Sequence, residues 1–212
     1  DSYSTGSVSG GDYVGGLAGE NWGDITNSYS TGAVVSGGGF VGGLVGDDWG
    51  ITTDSYWDTT TSGQATSSGG TGLTTAQMKT MSSFLPAWDI ANSGSSAAVW
   101  RIYEGNTYPL LRSFLTPLTV TATSGSRFYD GTTTGIGVSY SLTPDMSKVL
   151  GTLAYTGASS NVGAYTITPG GYYSIQQGYD ITFANGALTV TPAALTVTAQ
   201  TNTKTYDGLT GA

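Results

Sequence analysis

The sequence predicts an all-β protein: a short β-solenoid of stacked coils of about 27 residues with a cap region, followed by a small β-sandwich or β-grasp-like module. Three observations predict it. Asp1-Ser-Tyr-Ser-Thr-Gly6 through Trp22-Gly23 recurs as Asn27-Ser-Tyr-Ser-Thr-Gly32 through Trp49-Gly50, a period of 26 to 27 residues, and the opening returns at Asp54-Ser-Tyr56. Leu118-Thr-Val-Thr-Ala122 and Tyr129-Asp-Gly131 both return 77 residues later. Only 9% of residues are charged, against about 25% in ordinary globular proteins, and 34 glycines fill much of the deficit. Aromatic residues at 11%, with many β-branched neighbours, favour ordered β-structure over disorder.

The first element is the repeat stack, residues 1–68. Tyr3 aligns with Tyr29 and Tyr56, Val14 with Val41, Leu17 with Leu44, and Trp22 with Trp49. On successive coils such equivalents lie about 4.8 Å apart, so Val14 over Val41 and Leu17 over Leu44 form an internal apolar ladder. Glycines supply the tight corners. About three repeats are normally needed for stability, so the stack requires a cover, and residues 69–116 are expected to cap its last coil. There, residues 74–84 carry the helix signal. Thr74 or Thr75 caps it, Met78, Met81 and Phe84 form one apolar face, and Pro86 stops it. Trp57, Trp88 and Trp100 are expected in the core of the cap.

Residues 117–192 read as the β-module. Strands are expected at 118–122, 137–142, 150–155, 163–168, 179–183 and 187–191, separated by Pro and Gly. Residues 193–212 begin a second, incomplete module, whose first strand at 195–199 would be an exposed edge.

Composition excludes several functions. The net charge is −8, with six Lys plus Arg and no basic cluster, which leaves no nucleic-acid footprint. There is no Cys and no His, so the usual zinc, iron–sulfur, haem and thiol chemistries lose their residues. No apolar run reaches the roughly 20 residues of a membrane span. Asp1 begins inside the repeat motif, and the chain reads as a piece of something longer, its export signal elsewhere or removed.

Tyr13-Val-Gly-Gly-Leu-Ala-Gly19 and Phe40-Val-Gly-Gly-Leu-Val-Gly46 resemble the GLUG motif, named for its Gly-Leu-any-Gly core. The unit with Tyr129-Asp-Gly131 and a closing Ala187-Leu-Thr-Val-Thr-Pro192 resembles the YDG or MBG ("mostly beta, glycine-rich") repeats. In this order the two are similar to large bacterial surface proteins of the filamentous-haemagglutinin type. That resemblance implies a secreted adhesin displayed at the bacterial cell surface, meeting a host or neighbouring cell. It brings no catalytic residues, and no enzyme activity is expected.

The sequence nominates its own sites. Glu20 and Asn21 align with Asp47 and Asp48, so three carboxylates and an amide converge at one corner, where Ca²⁺ is a natural screen; the plain alternative is a solvated loop. No other cofactor is expected. Trp22 and Trp49 stack beside this corner. Exposed, they offer a platform to the sugar rings of a glycan; buried, they close the coil. Asp130 and Asp207 sit in Tyr-Asp-Gly turns. Asp145 and Asp180 are the one pair to weigh as glycosidase acids, without support from their spacing. Lys79, Lys148 and Lys204 are candidates for isopeptide links. Three readings stand: a structural or adhesive module, a self-assembling filament completed by strand donation or coil stacking, and a polysaccharide-binding or polysaccharide-degrading β-helix.

Overall fold

The structure, a computed structural model, describes residues 1–201, 203, 205, 206 and 208. Strand takes up 43% of it and helix 8%, so the all-β expectation holds. Lys204 and Asp207 lie outside the described residues.

Ten short strands build the repeats: β1 (Ser2–Ser4), β2 (Val8–Gly10), β3 (Tyr13–Gly15), β4 (Ala18–Asn21) and β5 (Asp24–Thr26), then β6 (Ser28–Ser30), β7 (Val34–Ser36), β8 (Phe40–Gly42), β9 (Val45–Asp48) and β10 (Ile51–Thr53). Each strand of the first repeat pairs in parallel with its counterpart in the second, Tyr3 opposite Tyr29, Val14 opposite Val41 and Glu20 opposite Asp47. β11 (Tyr56–Asp58) and β12 (Thr71–Leu73) extend the first ladder, giving the order β1-β6-β11-β12.

The space between the ladders is narrow, and this explains the glycines of the repeated motif. A Cβ on Gly42 would lie 1.7 Å from the Val45 carbonyl oxygen, and one on Gly43 would lie 2.0 Å from the Trp57 ring. The interior holds little more than Leu44, Val45 and Trp57, with Leu17 and Ile25 against them. Trp57 is thus inside the repeats rather than in the cap's core, because it follows Tyr56 by one residue and so points to the opposite face.

The last repeat is covered by residues 59–73, so only the first few residues of the segment expected to cap it, 69–116, take part. After helix α1 (Thr59–Ser62) the chain runs across the second repeat. Thr66 O accepts from Gly43 N, Ser68 N donates to Val45 O, and Ser67 Oγ accepts from the backbone of Leu44 and Val45. Residues 74–115 instead pack against the side of the stack. Tyr29, the neighbouring Tyr3 and Tyr56, and Leu73 face Met78, Phe84, Trp88, Ile90, Trp100 and Ile102 in one aromatic core. Trp88 and Trp100 therefore lie where expected, and their indole N–H groups reach Asp54 O and Asp1 Oδ1.

The helix expected over 74–84 is broken. Helix α2 spans Thr75–Met78 alone, with Thr74 and Gln77 forming a capping box, and a 3-10 turn follows at Met81–Ser83. The break at Lys79 and Thr80 keeps Met78, Met81 and Phe84 on the aromatic core, so tertiary packing decides over helical period. β13 (Ile90–Ala91), β14 (Trp100–Arg101) and β15 (Leu110–Leu111) form a small mixed sheet in this layer.

The remaining strands are β16 (Thr116–Ala122), β17 (Gly125–Phe128), β18 (Val138–Tyr140), β19 (Leu150–Thr156), β20 (Gly163–Tyr173), β21 (Tyr179–Ala184) and β22 (Gly186–Thr191). They form two sheets, β18-β16-β21 and β17-β22-β20-β19. One parallel ribbon crosses from one sheet to the other in a single register, with Thr116 opposite Tyr179 and Phe128 opposite Thr191. At the crossing, a Cβ on Gly186 would meet the Ala122 carbonyl oxygen at 2.3 Å. Leu118, Val120 and Ile181 pack with Tyr172 and Tyr173 of the long strand β20, and Ala122, Ile167, Leu188 and Val190 form the adjoining core. β17 was not anticipated, since residues 125–128 lack apolar alternation. Residues 195–199, expected as a strand, form none, and Leu195 and Val197 are 86% and 83% exposed.

Replacing Gly43 with Ala forces Trp57 or the backbone to shift. We expect a loss of about 2–4 kcal/mol, read as a lower denaturant midpoint with unchanged m-value.

Candidate functional site

The corner nominated for Ca²⁺ is built by β4 and β9 and the turns after them. Asn21 Nδ2 donates to Asp48 Oδ1 at 2.7 Å, Gly50 N donates to the same oxygen at 3.2 Å, and Asn21 Oδ1 accepts from Gly23 N. Trp49 Nε1 donates to Asp47 Oδ2 at 2.9 Å, and Glu20 is exposed. Asp48 Oδ1, Asp47 Oδ2 and Asn21 Oδ1 thus face N–H donors of the chain, and the Asn21 amide turns its donor side toward Asp48. Among the described residues no cluster of three or more His, Cys, Asp or Glu is arranged to hold a metal ion.

Trp22 and Trp49 stack with centroids 5.5 Å apart and planes 8° from parallel, and they are 72% and 65% exposed. They are therefore a surface feature, not a ladder that closes the repeat. Tyr13 and Phe40 form a second exposed stack, 5.1 Å apart and 7° from parallel. The sequence pairs these two rings in the alignment, but only their position on the outer face marks them as available.

The acids separate by role. Asp58 is fully buried. Its Oδ1 caps α1 through Thr60 N and Thr61 N, and its Oδ2 accepts from the hydroxyls of Thr75 and Tyr108. Burial, the largest effect on it, pushes its carboxyl up, but those four hydrogen bonds outweigh burial and hold it below its ordinary value. The buried Asp180 pairs with Arg101 and Arg112 at 3.2 and 2.5 Å. Asp145 accepts from Ser147 N and Oγ, and Asp130 from Thr132; those bonds lower both carboxyls. Asp145 and Asp180 thus serve a turn cap and an ion pair, not a pair of converging acids.

Between the tyrosine face, the side layer and the turn after β20 lies a cleft of about 310 Å³. Tyr3, Tyr29 and Tyr108 wall it, with Lys79, Asn106 and Gln176. Lys79 Nζ sits 5.5 Å above the Tyr108 ring centre. Burial, followed by the Asp58 carboxylate, pushes the Tyr108 phenol up to about 12, so it stays a neutral donor to Asp58. Sequence reasoning missed this cleft because its residues come from three separate segments. Lys79 was nominated only for an isopeptide link. No carboxylate lies within 4.0 Å of it among the described residues, and Lys148 Nζ instead donates to Gln177 O.

A family model, the GLUG motif, matches residues 10–35. No curated protein and no solved structure matches the chain. The matched span contains Val14-Gly15-Gly16-Leu17, the first-repeat counterpart of the Val41-Gly42-Gly43-Leu44 run whose tight packing is described above.

Because the Asp58 carboxyl is held low when folded, the stability it contributes is present above about pH 4, the ordinary carboxylate range. It is lost as the pH falls through the lowered folded value. Denaturant unfolding of the intact chain at pH 7 and pH 3 checks this. Asp58→Asn should cost about 1–3 kcal/mol at pH 7 and show a shallower acid loss than the wild type.

Proposed function

We propose that the chain is a structural and adhesive segment of a secreted bacterial surface protein, acting by contact and not by catalysis. The GLUG motif occurs in bacterial surface and secreted proteins, which supports this reading. We take the stacked repeats as a short β-solenoid shaft, and residues 117–192 as a module of the YDG or MBG kind that continues it. The observation that carries the proposal is the repetition of outward-facing aromatics. Trp22 with Trp49, and Tyr13 with Phe40, place aromatic rings at equivalent positions of successive repeats, 5.5 and 5.1 Å apart. Exposed apolar surface gathered in one place favours a contact role, and equal weak contacts along a repeat add by multivalency. The partner is a host or neighbouring-cell surface, with glycans among its ligands; nucleic acid and membrane insertion play no part.

A second reading, self-assembly by strand donation, is favoured by residues 195–199. They repeat Leu118–Ala122 of β16, yet among the described residues they pair with no strand, and they expose Leu195 and Val197.

Beads coated with the intact protein test the first reading. Trp22→Ala with Trp49→Ala should reduce attachment to cells at least tenfold at unchanged melting temperature, because both rings are exposed. Undiminished attachment would remove the aromatic face from the account. Electron microscopy across a concentration range tests the second. Filaments that vanish on Leu195→Asp with Val197→Asp would support strand donation.

A further inference from the structure

We propose that the cleft between Tyr3, Tyr108 and Lys79 binds an anionic saccharide, a sugar ring bearing a carboxylate or sulfate group. This deepens the adhesive reading and rests on it for its biological setting.

Arg101, Arg112 and Arg127 are each held by an aspartate, and Lys148 donates to Gln177 O. Lys79 alone among the described side-chain cations has no ion pair and no hydrogen bond from its ammonium, in a chain of net charge −8. It is half-buried, and its backbone is fixed. Lys79 closes α2, with its N–H on Ala76 O and its carbonyl accepting from Gly105 N. A half-buried cation in an otherwise acidic protein has one complementary ligand group, an anion.

The walls define the rest of the ligand. Tyr3 and Tyr108, both partly exposed, flank the buried Tyr29 in one stacked series, with centroid spacings of 5.7 and 6.2 Å. An aromatic wall suits the C–H face of a sugar ring, and polar groups at its margin suit the hydroxyls. Asn106 Nδ2 donates to Glu104 O, which leaves its carbonyl oxygen to accept a hydroxyl. Gln176 is clamped by two hydrogen bonds to the backbone of Leu111, so this wall is preformed. A volume of about 310 Å³ sits at the small end of ligand sites and suits one or two rings.

The test titrates the intact protein with three probes: trigalacturonate, a sulfated galactose trisaccharide and neutral galactotriose. Calorimetry and amide chemical shifts are read together. We expect binding of at least one anionic probe at least tenfold tighter than the neutral one, weakened by salt, with shifts centred on Lys79, Asn106 and Gln176. Lys79→Met should abolish that preference at unchanged melting temperature, and Lys79→Arg should retain it. Equal affinity for all three probes, wild-type binding by Lys79→Met, shifts elsewhere, or no binding at millimolar probe would each overturn the inference. An acidic tripeptide that binds as tightly as the saccharides would overturn the sugar assignment. Cell attachment measured on the same Lys79→Met protein separates the two claims. Attachment that persists while the inference fails leaves the adhesive reading standing.

Discussion

The fold depends on the packing of one tyrosine face against an aromatic layer. Glycine keeps the repeats so thin that their interior holds few large side chains, chiefly Leu44, Val45 and Trp57. Slightly more than two repeats of this thickness bury too little to stand on that interior alone. The larger apolar cluster lies outside the repeats, where Tyr29 meets Trp88 and Trp100. Each ring there removes roughly 150–250 Å² from water, and Tyr29 also donates its hydroxyl to Pro109 O at 2.7 Å. Ser28 and Ser30, on the other face of the same strand, are buried against the backbone instead. The alternation of this three-residue strand thus turns two small serines toward the glycine-lined inside and Tyr29 toward the aromatic layer.

The same side layer joins the repeats to the β-module. Tyr103 donates to Tyr179 O and accepts from Ile181 N. Asp180, one residue along, takes both Arg101 and Arg112. A buried ion cluster adds little net stability, yet removing one partner strands the others at a cost of about 3–5 kcal/mol. Asp180 therefore acts as a geometric lock. It fixes strand β21 against the layer, and with it the turn that supplies Gln176 to the cleft.

Much of this was legible in the sequence, and the reasons are physical. Period and alternation fix the ladders, so the pairing of Tyr3 with Tyr29 and of Trp22 with Trp49 followed from alignment alone. Direction was harder. Trp57 and Tyr56 are adjacent and face opposite ways, and nothing in a 27-residue repeat states which side is inside. The side layer was read as an end cap because its apolar residues signal burial without naming the surface they bury. The split of α2 from the 3-10 turn is a tertiary effect that helical period cannot register. The cleft was least legible of all, because Tyr3, Lys79, Tyr108 and Gln176 meet only through the packing of three segments.

The central claim is that the repeats and residues 74–115 fold as one unit through the aromatic layer. Native-state hydrogen exchange on Trp100→Ala tests it most directly. Amides of β8 and β9, on ladders that lie outside this aromatic core, should lose protection together with those of β6. Wild-type protection at β8 and β9, with loss confined to the neighbours of Trp100, would contradict it and mean that the stacked repeats stand alone.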